Sequence, residues 1–443
     1  MTYAFRQDAQ EAKIGNDSPL PSETVFPEPI NLPSGIQPAD QPVISMRNSE
    51  KYMELFAPGR LCLFGEHTDW ASQFGVHRGA CLVIGTDQGL FAQVRSSDQF
   101  IVEAWVDECP GRADKSTDSA GRIRRVAFPW QKKALLDVAR DQNDFFRYCT
   151  GVACQMISQP GVNGGLEIRV FHMDLPLQKG VSSSAAVCVL VARAFDEVYS
   201  LGLFPHEIME LAYLGERLTG SQCGRMDQAC IYGKTPVLLT FEGRDQCRVE
   251  PIFPRKDIHM FFVDLAGRKD TVRILQDLHA AYPNSRRLRK ALGLDNERII
   301  RRAYRALERG DAPQLGALMN EAQALFDGCV GPHSPEQLES PLLHTLLATE
   351  ALKPHIYGGK GVGSQGDGTA QFVARSLADC HAAMALVEQA YPSTRAFPLT
   401  IPASRRPVAL KIPSIDKQLA REDLWPSDWA TRHQGHTVSG TLP

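Results

Sequence analysis

A serine- and glycine-containing bend between a strand pattern and a helical pattern constrains this chain more than any other feature. The bend reads PLQKGVSSSAA over residues 176–186, after the alternating run GLEIRVF and before a long helical pattern. Gly180 permits backbone angles that other residues avoid, and the free N–H groups of a helix start favour an anion. The bend therefore fits either a phosphate cradle, to which Lys179 adds a positive charge, or ordinary N-capping by serine.

A second stretch places four polar side chains around a glycine turn between apolar runs. It reads FAPGRLCLFGEHTDW over residues 56–70 and contains Arg60, Glu66, His67 and Asp69. Polar groups at a strand end either converge on the hydroxyl groups of a ligand or form a charged surface turn. The spacing of the residues leaves both interpretations open.

A third stretch runs from a helical pattern into a loop that contains glycine. It reads GERLTGSQCGRMDQ over residues 215–228. Asp227 beside a glycine turn is a candidate general base, and Glu216 is a candidate metal ligand. Solvated carboxylates on a helix or a turn are the commoner fate of acidic residues, so that interpretation also stays open.

A fourth stretch is rich in glycine and precedes a short strand pattern. It reads KGVGSQGDGT over residues 360–369 and is followed by AQFVAR. Repeated glycines let a backbone approach a ligand closely, although they also occur in ordinary loops. By itself this stretch is a weak indication of a binding site.

Strand and helix patterns are mixed along the chain without the strict alternation of a doubly wound sheet, which predicts the α+β class. We expect a proline-rich extension over residues 1–50, a first domain over 51–235, a second over 236–403 and a C-terminal extension over 404–443. Within the first domain, ELFAPGRLCLFG is predicted as strand, turn and strand, and CLVIGTDQGLFAQV as two strands separated by Gly89.

Composition and charge narrow the functional class. The 443 residues include 48 basic and 51 acidic side chains, so the net charge of -3 argues against bulk nucleic-acid binding. The 11 cysteines form no C-x-x-C pair, and neither a disulfide framework nor a zinc knuckle is predicted. No apolar run reaches the ~18–20 residues that span a bilayer, and a signal-peptide layout is lacking. We expect a cytoplasmic protein without a membrane partner.

Together and in this order, the four stretches resemble the GHMP kinase superfamily, named for galactokinase, homoserine kinase, mevalonate kinase and phosphomevalonate kinase. The family's phosphate motif, usually P-x-G-x-G-L-S-S-S-A, is similar to PLQKGVSSSAA, and the element CGRMDQ matches the C-G-x-M-D-Q of galactokinases. The likeness covers about residues 52–402. It implies a two-domain α+β fold, with an N-terminal domain of the ribosomal protein S5 domain 2 type and a ferredoxin-like C-terminal domain.

The resemblance implies phosphoryl transfer from ATP, with Mg²⁺, to a hydroxyl of a small-molecule sugar or sugar derivative. Asp227 aligns with the galactokinase aspartate that accepts or orients the proton of the sugar hydroxyl. Arg60 aligns with the arginine that stabilises this anion and the transferring phosphoryl group. Glu66, His67 and Asp69 align with the residues that contact the sugar.

The resemblance also implies which residues hold the nucleotide and the metal. Ser184 and Glu216 are the expected Mg²⁺ ligands, with Ser183 as an alternative to Ser184. The expected contacts to ATP and its phosphates are Lys179, Gly180, Val181, Ser182, Ser183, Ser184, Gly363, Ser364 and Gln365.

The chain departs from the family pattern at positions that bear on the substrate. The family's first motif looks like APGRLCLFGEHTDW, over residues 57–70, and here Trp70 replaces the usual tyrosine. The family's third motif looks like KGVGSQGDGT, over residues 360–369, and here Gln365 replaces a glycine. An unusual sugar or a sugar acid is therefore open as the acceptor. Lys269, Asp270 and Thr271, after a strand pattern, either help to select this acceptor or form a surface turn.

Two other functions remain open from the sequence. A sensor on the same fold holds ATP and a sugar without turnover, but such a protein needs neither Asp227 nor Arg60. A kinase for a non-sugar alcohol such as mevalonate conflicts with a pocket of Glu66, His67 and Asp69, because unpaired buried polar groups cost ~1–3 kcal/mol each.

Overall fold

The computed structural model describes residues 52–106, 122–175, 182–221, 223–242, 246–267, 269–408 and 410. They lie in one compact unit, Asn48–Pro443. This unit contains two β-sheets with helices packed against them, which confirms the predicted α+β class. Across the described ranges, no helix is both long enough and apolar enough to cross a membrane.

The first sheet contains seven strands within the described residues. They are Met53–Phe64 (β1), Gly79–Ser97 (β2), Phe100–Val106 (β3), Arg122–Phe128 (β4), Gly165–Met173 (β5), Val237–Glu242 (β6) and Gln246–Pro251 (β7). The strand order is β4-β3-β5-β2-β6-β7, with β1 paired to β2. The long strand β2 is the centre of the sheet, because β1, β5 and β6 all pair with it.

The helices of this half carry two of the predicted site segments. They are Thr68–Ala71 (α1), Lys132–Arg140 (α2), Arg147–Met156 (α3), Ser183–Tyr199 (α4) and Pro205–Leu218 (α5), with a 3₁₀ turn over Asp227–Tyr232. Helix α4 starts within the serines of the predicted phosphate bend. The 3₁₀ turn starts at the predicted catalytic aspartate.

The predicted division of β2 at Gly89 is wrong, since β2 continues through this residue. Gly89 pairs with Pro58 of β1 instead of forming a turn. A Cβ atom at this position would lie 2.6 Å from the Phe56 ring and 2.9 Å from the carbonyl carbon of Ala57. The glycine is therefore required for the close approach of two strands.

The predicted turn within β1 is wrong as well. The segment is one strand whose pairing with β2 shifts register between Pro58 and Arg60 and again between Cys62 and Phe64. Pro58 has no N–H to give to the ladder, so an irregularity is expected at this position. Such irregularities re-aim side chains near functional sites, and Arg60 follows directly.

The second sheet has the order β11-β8-β10-β9, with all neighbours antiparallel. Its strands are Ile258–Asp264 (β8), Ile356–Gly361 (β9), Thr369–Ala374 (β10) and Arg395–Ile401 (β11). The helices between them are Thr271–Ala281 (α6), Arg286–Lys290 (α7), Asn296–Arg309 (α8), Ala312–Cys329 (α9), Pro335–Leu338 (α10), Pro341–Leu347 (α11) and Leu377–Ala390 (α12). Numbered within this half, the strand order is 4-1-3-2, which is that of a ferredoxin-like fold.

The two faces of β8 show how the sheets are joined. Met260 and Phe262 belong to the same buried apolar cluster as Leu61 of β1. Phe261 and Val263, which point to the opposite face, pack with residues of α11 and α12. The first motif on β1 and the second half of the chain therefore share one core.

The predicted boundary at residue 235 falls within the first sheet's connectivity, because β6 pairs with β2 and β7 pairs with β6. We propose that the first domain extends to Pro251. The segments predicted as extensions lie mostly outside the described residues. Of the C-terminal one, residues 404–408 and 410 are described, and none of them is in a strand.

Candidate active site

Arg60 is the residue around which the candidate site is built. Its Nη2 atom donates a hydrogen bond of 2.5 Å to Ser182 Oγ, and the same guanidinium forms an ion pair with Asp227. Arg60 comes from β1, Ser182 precedes helix α4, and Asp227 starts the 3₁₀ turn. Three stretches that are distant in sequence thus meet at one positive charge.

Burial distinguishes the two partners of this ion pair. The Arg60 side chain is 3% exposed, whereas the Asp227 side chain is 26% exposed. The guanidinium is fixed inside the protein, and the carboxylate keeps access to a ligand. This arrangement suits an aspartate that contacts a substrate while the arginine holds it in place.

Ser182 departs from ordinary helix capping. Its φ angle is 58°, in the left-handed region that non-glycine residues rarely adopt. No side chain caps the start of α4, and the Ser182 hydroxyl accepts from Arg60. The capping interpretation of this bend is therefore not supported at Ser182. Lys179, Gly180 and Val181 lie outside the described residues.

A second group of polar side chains surrounds Glu216 of helix α5. Ser184 Oγ donates to Glu216 Oε1 at 3.0 Å, and Gln228 Nε2 donates to Glu216 Oε2 at 2.7 Å. Ser221 Oγ adds a longer hydrogen bond of 3.4 Å to Oε1. The two predicted metal ligands, Ser184 and Glu216, are therefore in direct contact. Ser183 occupies the first position of α4 beside them.

Two buried carboxyl groups in the site have raised pKa values. Burial, and then the negative charge of Asp227, raise the pKa of Glu216 to about 7 and that of Asp69 to about 6. Asp227 therefore acts electrostatically on both buried carboxyl groups, and Arg60 offsets part of the effect on Asp69.

Asp69 is held in place by the glycine of the CGRMDQ element. A Cβ atom at Gly224 would lie 2.6 Å from Cγ of Asp69, so the carboxyl group lies directly against the glycine. A side chain at this position must displace Asp69, which is short, buried and unable to fold away. The glycine is required here for close approach.

Changing Gly224 to alanine is expected to reduce kcat/KM for the acceptor by about 10²-fold, because a displacement of ~1 Å in a positioned group has an effect of that size. The measurement is steady-state kinetics with the acceptor varied at saturating nucleotide. Gly328→Ala is the matched control, since a Cβ there meets only the end of the Arg287 side chain, at 3.7 Å. Equal kinetics for both variants would contradict the role assigned to Gly224.

Asp69→Asn is expected to change how stability depends on pH. The folded chain retains the Asp69 proton up to about pH 6, whereas the unfolded chain loses it near pH 4. The wild-type free energy of unfolding therefore falls between about pH 4 and pH 6, and asparagine removes this fall. Relative to wild type, the Tm of the variant should rise across this window, by ~2–4 °C for each kcal/mol. Parallel Tm–pH curves would contradict the expectation.

His67 is buried at the start of α1 with a φ angle of 67°. Its Nδ1 atom accepts a hydrogen bond of 3.0 Å from Trp70 Nε1. Burial lowers the pKa of His67 to about 3, despite a backbone interaction with Ser364 that raises it. The imidazole is therefore neutral at ordinary pH, and it lies beside the loop that carries the third motif.

Glu66 is engaged by a residue from the second half of the chain. Lys360 Nζ, on β9, forms a buried ion pair with Glu66 and donates to the carbonyl of Gly361 at 2.7 Å. The two side chains are 1% and 6% exposed. A direct contact between Glu66 and a sugar remains a prediction.

The third-motif loop has an unusual backbone. Gly363, Gln365 and Gly366 all have positive φ angles, of 65°, 63° and 73°. Lys269 Nζ donates to the carbonyl of Gln365 at 3.0 Å, and Thr271 Oγ1 lies 3.1 Å from Ser364 Oγ. Successive left-handed residues can turn backbone N–H groups toward an anion.

The segment 269–271 does more than form a surface turn. It joins the third-motif loop to helix α6, where the Asp270 side chain caps the first turn by accepting from Arg273 N at 3.0 Å. The charge of Lys269 also helps to lower the pKa of His67. This positive charge therefore lies near the predicted acceptor site. A role in acceptor selection therefore stays a proposal with structural support.

Comparisons with known proteins identify related chains. The model of the GHMP kinases N terminal domain matches residues 147–234. The galactokinase of Roseiflexus sp. (strain RS-1) is 25% identical over 360 residues, which covers 72% of this chain and 83% of that protein. Residues 147–234 are thus similar to the N-terminal domain of GHMP kinases, and most of the chain is similar to a galactokinase. These similarities indicate a phosphotransferase with an alcohol group as acceptor.

Solved structures show the same GHMP kinase fold. Lactococcus lactis galactokinase complexed with galactose has a TM-score of 0.58 at 17% identity, covering 81% of this chain and 96% of that one. L. major mevalonate kinase in complex with R-mevalonate has a TM-score of 0.59 at 20% identity, covering 81% and 98%. The fold is common to both, so the choice of acceptor depends on side chains.

Sequence reasoning missed several residues of this candidate site. Lys360, Gly224 and Gln228 all lie in motifs that were recognised, yet no role was assigned to them. Gln323 of α9 lies outside those motifs, and its Oε1 atom accepts from Gly361 N at 2.8 Å. The position of Lys360 at the start of the third motif was the one signal available for it.

Proposed function

We propose that this protein is a GHMP kinase that transfers the γ-phosphoryl group of ATP to a hydroxyl of a monosaccharide or sugar derivative. The observation that carries the proposal is the guanidinium of Arg60, which is shared between Asp227 and Ser182. It brings a partly exposed carboxylate and the N-terminus of α4 to one positive charge. Phosphoryl transfer depends on positioning and on charge stabilisation, which this arrangement supplies.

In this proposal each residue of the site has a different role. Asp227 accepts or orients the proton of the acceptor hydroxyl. Arg60 fixes Asp227 and stabilises the negative charge on the transferring group. Ser182 and the N-terminus of α4 hold phosphate oxygens, since the helix dipole favours an anion there. The third-motif loop, over Gly363, Ser364 and Gln365, closes the site from the second half of the chain.

The oxygen donors of the site are compatible with Mg²⁺. Ser184 Oγ and Glu216 Oε1 lie 3.0 Å apart, and Mg²⁺ is commonly held by one or two protein oxygens together with substrate phosphates. Within the described residues, no three His, Cys, Asp or Glu side chains are arranged to hold a metal by themselves. Ser184 and Glu216 would therefore hold the ion jointly with the nucleotide. When bound, Mg²⁺ would supply positive charge that offsets the negative charge of the phosphates.

The proposed acceptor is rich in hydroxyl groups. Asp69 accepts hydrogen bonds, and the neutral His67, whose Nδ1 atom accepts from Trp70, carries its proton on Nε2 and can donate a hydrogen bond. Buried polar groups of this kind favour a ligand that pairs with them and disfavour a mostly aliphatic one. Lys269 near His67 adds a positive charge, so a hexuronic acid belongs among the acceptors to be tested beside neutral hexoses.

The test is acceptor-dependent release of ADP from ATP and Mg²⁺ by the full-length chain. The panel contains neutral hexoses, hexuronic acids and mevalonate, with a reaction lacking acceptor as the blank. We expect ADP release above the blank with at least one sugar or sugar acid. Release with mevalonate alone, or release that no acceptor increases, would refute the proposed function.

A further inference from the structure

The ion pair of Glu66 and Lys360 links the first motif, over residues 57–70, to the third motif, over residues 360–369. The lysine lies on β9 of the second sheet, and the glutamate follows β1 of the first. Both side chains are almost fully buried. A buried charge is costly unless it is paired, so each group depends on the other.

Further hydrogen bonds tie this ion pair to the backbone that leads into the third-motif loop. The carbonyl of Gly361 accepts from Lys360 Nζ at 2.7 Å and from Gln365 Nε2 at 3.3 Å. The N–H of the same residue donates to Gln323 Oε1. Lys360 and Gln365 of the third-motif loop therefore share one backbone acceptor at the end of β9.

The ion pair lies among other charged groups of the site. Four charged side chains act electrostatically on the buried Cys62 thiol, namely Glu66, Arg60, Lys360 and Asp69. Burial and the charge of Glu66 raise the pKa of this thiol. His67 follows Glu66 directly in the sequence, and the charge of Lys360 helps to lower its pKa. A movement of the Glu66 carboxylate would consequently disturb the residues proposed to hold the acceptor.

We propose that Lys360 is a positioning residue for the acceptor: it neutralises the buried Glu66 carboxylate and fixes it beside His67 and Asp69. This inference rests on the proposed function. Without the lysine, burial favours the protonated form of the glutamate. The carboxyl group then loses its charge and its anchor at neutral pH, and regains the charge only as the pH rises.

The experiment compares wild type, Lys360→Met, Glu66→Gln and the double variant K360M/E66Q between pH 6 and pH 9. Methionine keeps the length of the lysine stem and removes its charge. Kinetics with the best acceptor and thermal unfolding are both measured. We expect Lys360→Met to reduce kcat/KM for the acceptor at least ~10-fold at pH 7, with recovery toward pH 9. KM for ATP should stay within about twofold, because the nucleotide is held elsewhere.

The double variant separates positioning from support of the fold. In K360M/E66Q the recovery with pH should vanish, since no buried carboxyl group is left to ionise. The Tm deficit of Lys360→Met should grow with pH and that of the double variant should not. A deficit in kcat/KM and Tm that is independent of pH in Lys360→Met would overturn the inference.

The thermal measurements keep this inference distinct from the proposed function. A wild-type chain that phosphorylates no sugar of the panel rejects the sugar kinase proposal. In that case the Tm–pH curves still decide whether Lys360 neutralises Glu66: a deficit that grows with pH supports it, and a constant deficit rejects it.

Discussion

Replacing Asp227 with asparagine is expected to lower kcat with the best acceptor by about 10²–10⁴-fold. Asparagine has nearly the same shape but cannot take a proton, and it removes the negative charge that pairs with Arg60. The Kd for ATP should change little, since the role proposed for this carboxylate is toward the acceptor. Steady-state kinetics give kcat, and calorimetric titration with a non-hydrolysable ATP analogue gives the Kd.

Asp137→Asn is the matched control for this variant. Asp137 is an exposed aspartate on α2, outside the candidate site, and its replacement should leave kcat within about twofold because isolated surface changes are usually neutral. Unchanged turnover in Asp227→Asn would remove Asp227 from the mechanism. A loss of ATP binding equal to the loss of turnover would instead assign it to the nucleotide.

Replacing Arg60 with glutamine is expected to lower kcat/KM by about 10²–10³-fold, the usual effect of removing one donor to a developing negative charge. Glutamine keeps a polar side chain but loses the positive charge shared by Asp227 and Ser182. Because Arg60 is buried, its replacement also lowers Tm. The kinetics are therefore measured well below the Tm of the variant, with circular dichroism as the check on folding.

Arg78→Gln is the control for the loss of a positive charge. Its ion pair with Glu242 is exposed to solvent, and exposed pairs contribute little. The double variant R60Q/D227N should be no slower than the worse single variant, because residues that act as a unit are not additive. Fully additive losses would show that Arg60 and Asp227 act independently.

Local sequence signals mark the ends of several helices. Pro205 lies in the first turn of α5, and Gly310 with Asp311 ends α8 and begins α9, as their backbone preferences require. These signals act within a few residues, so a single sequence contains them. Serines likewise stand at the start of α4, although no side chain caps this helix.

Strand pairing was harder to predict, because it depends on distant segments. Gly89 indicates a turn when only its neighbours are considered, and its contact with Ala57 of β1 is what keeps β2 continuous. Likewise, β6 follows a helical region in sequence yet pairs with β2, more than a hundred residues before it. No local pattern reveals either pairing.

The candidate site was likewise predictable only in part from the sequence. The meeting of Arg60 with Asp227 was predicted, because the resemblance assigned them to one site, and the structure brings them together. The ion pair between Glu66 and Lys360, which are 294 positions apart, was not predicted. Burial turns two ordinary charged residues into partners, and burial is a property of the tertiary structure.

A crystal structure of the full chain with an ATP analogue, Mg²⁺ and the best acceptor tests the central claim most directly. We predict an acceptor hydroxyl within hydrogen-bond reach of the Asp227 carboxylate, at ~2.6–3.2 Å, with the terminal phosphate near Ser182 and Arg60. An acceptor bound away from Asp227, or a nucleotide whose phosphates lie away from the start of α4, would contradict the account.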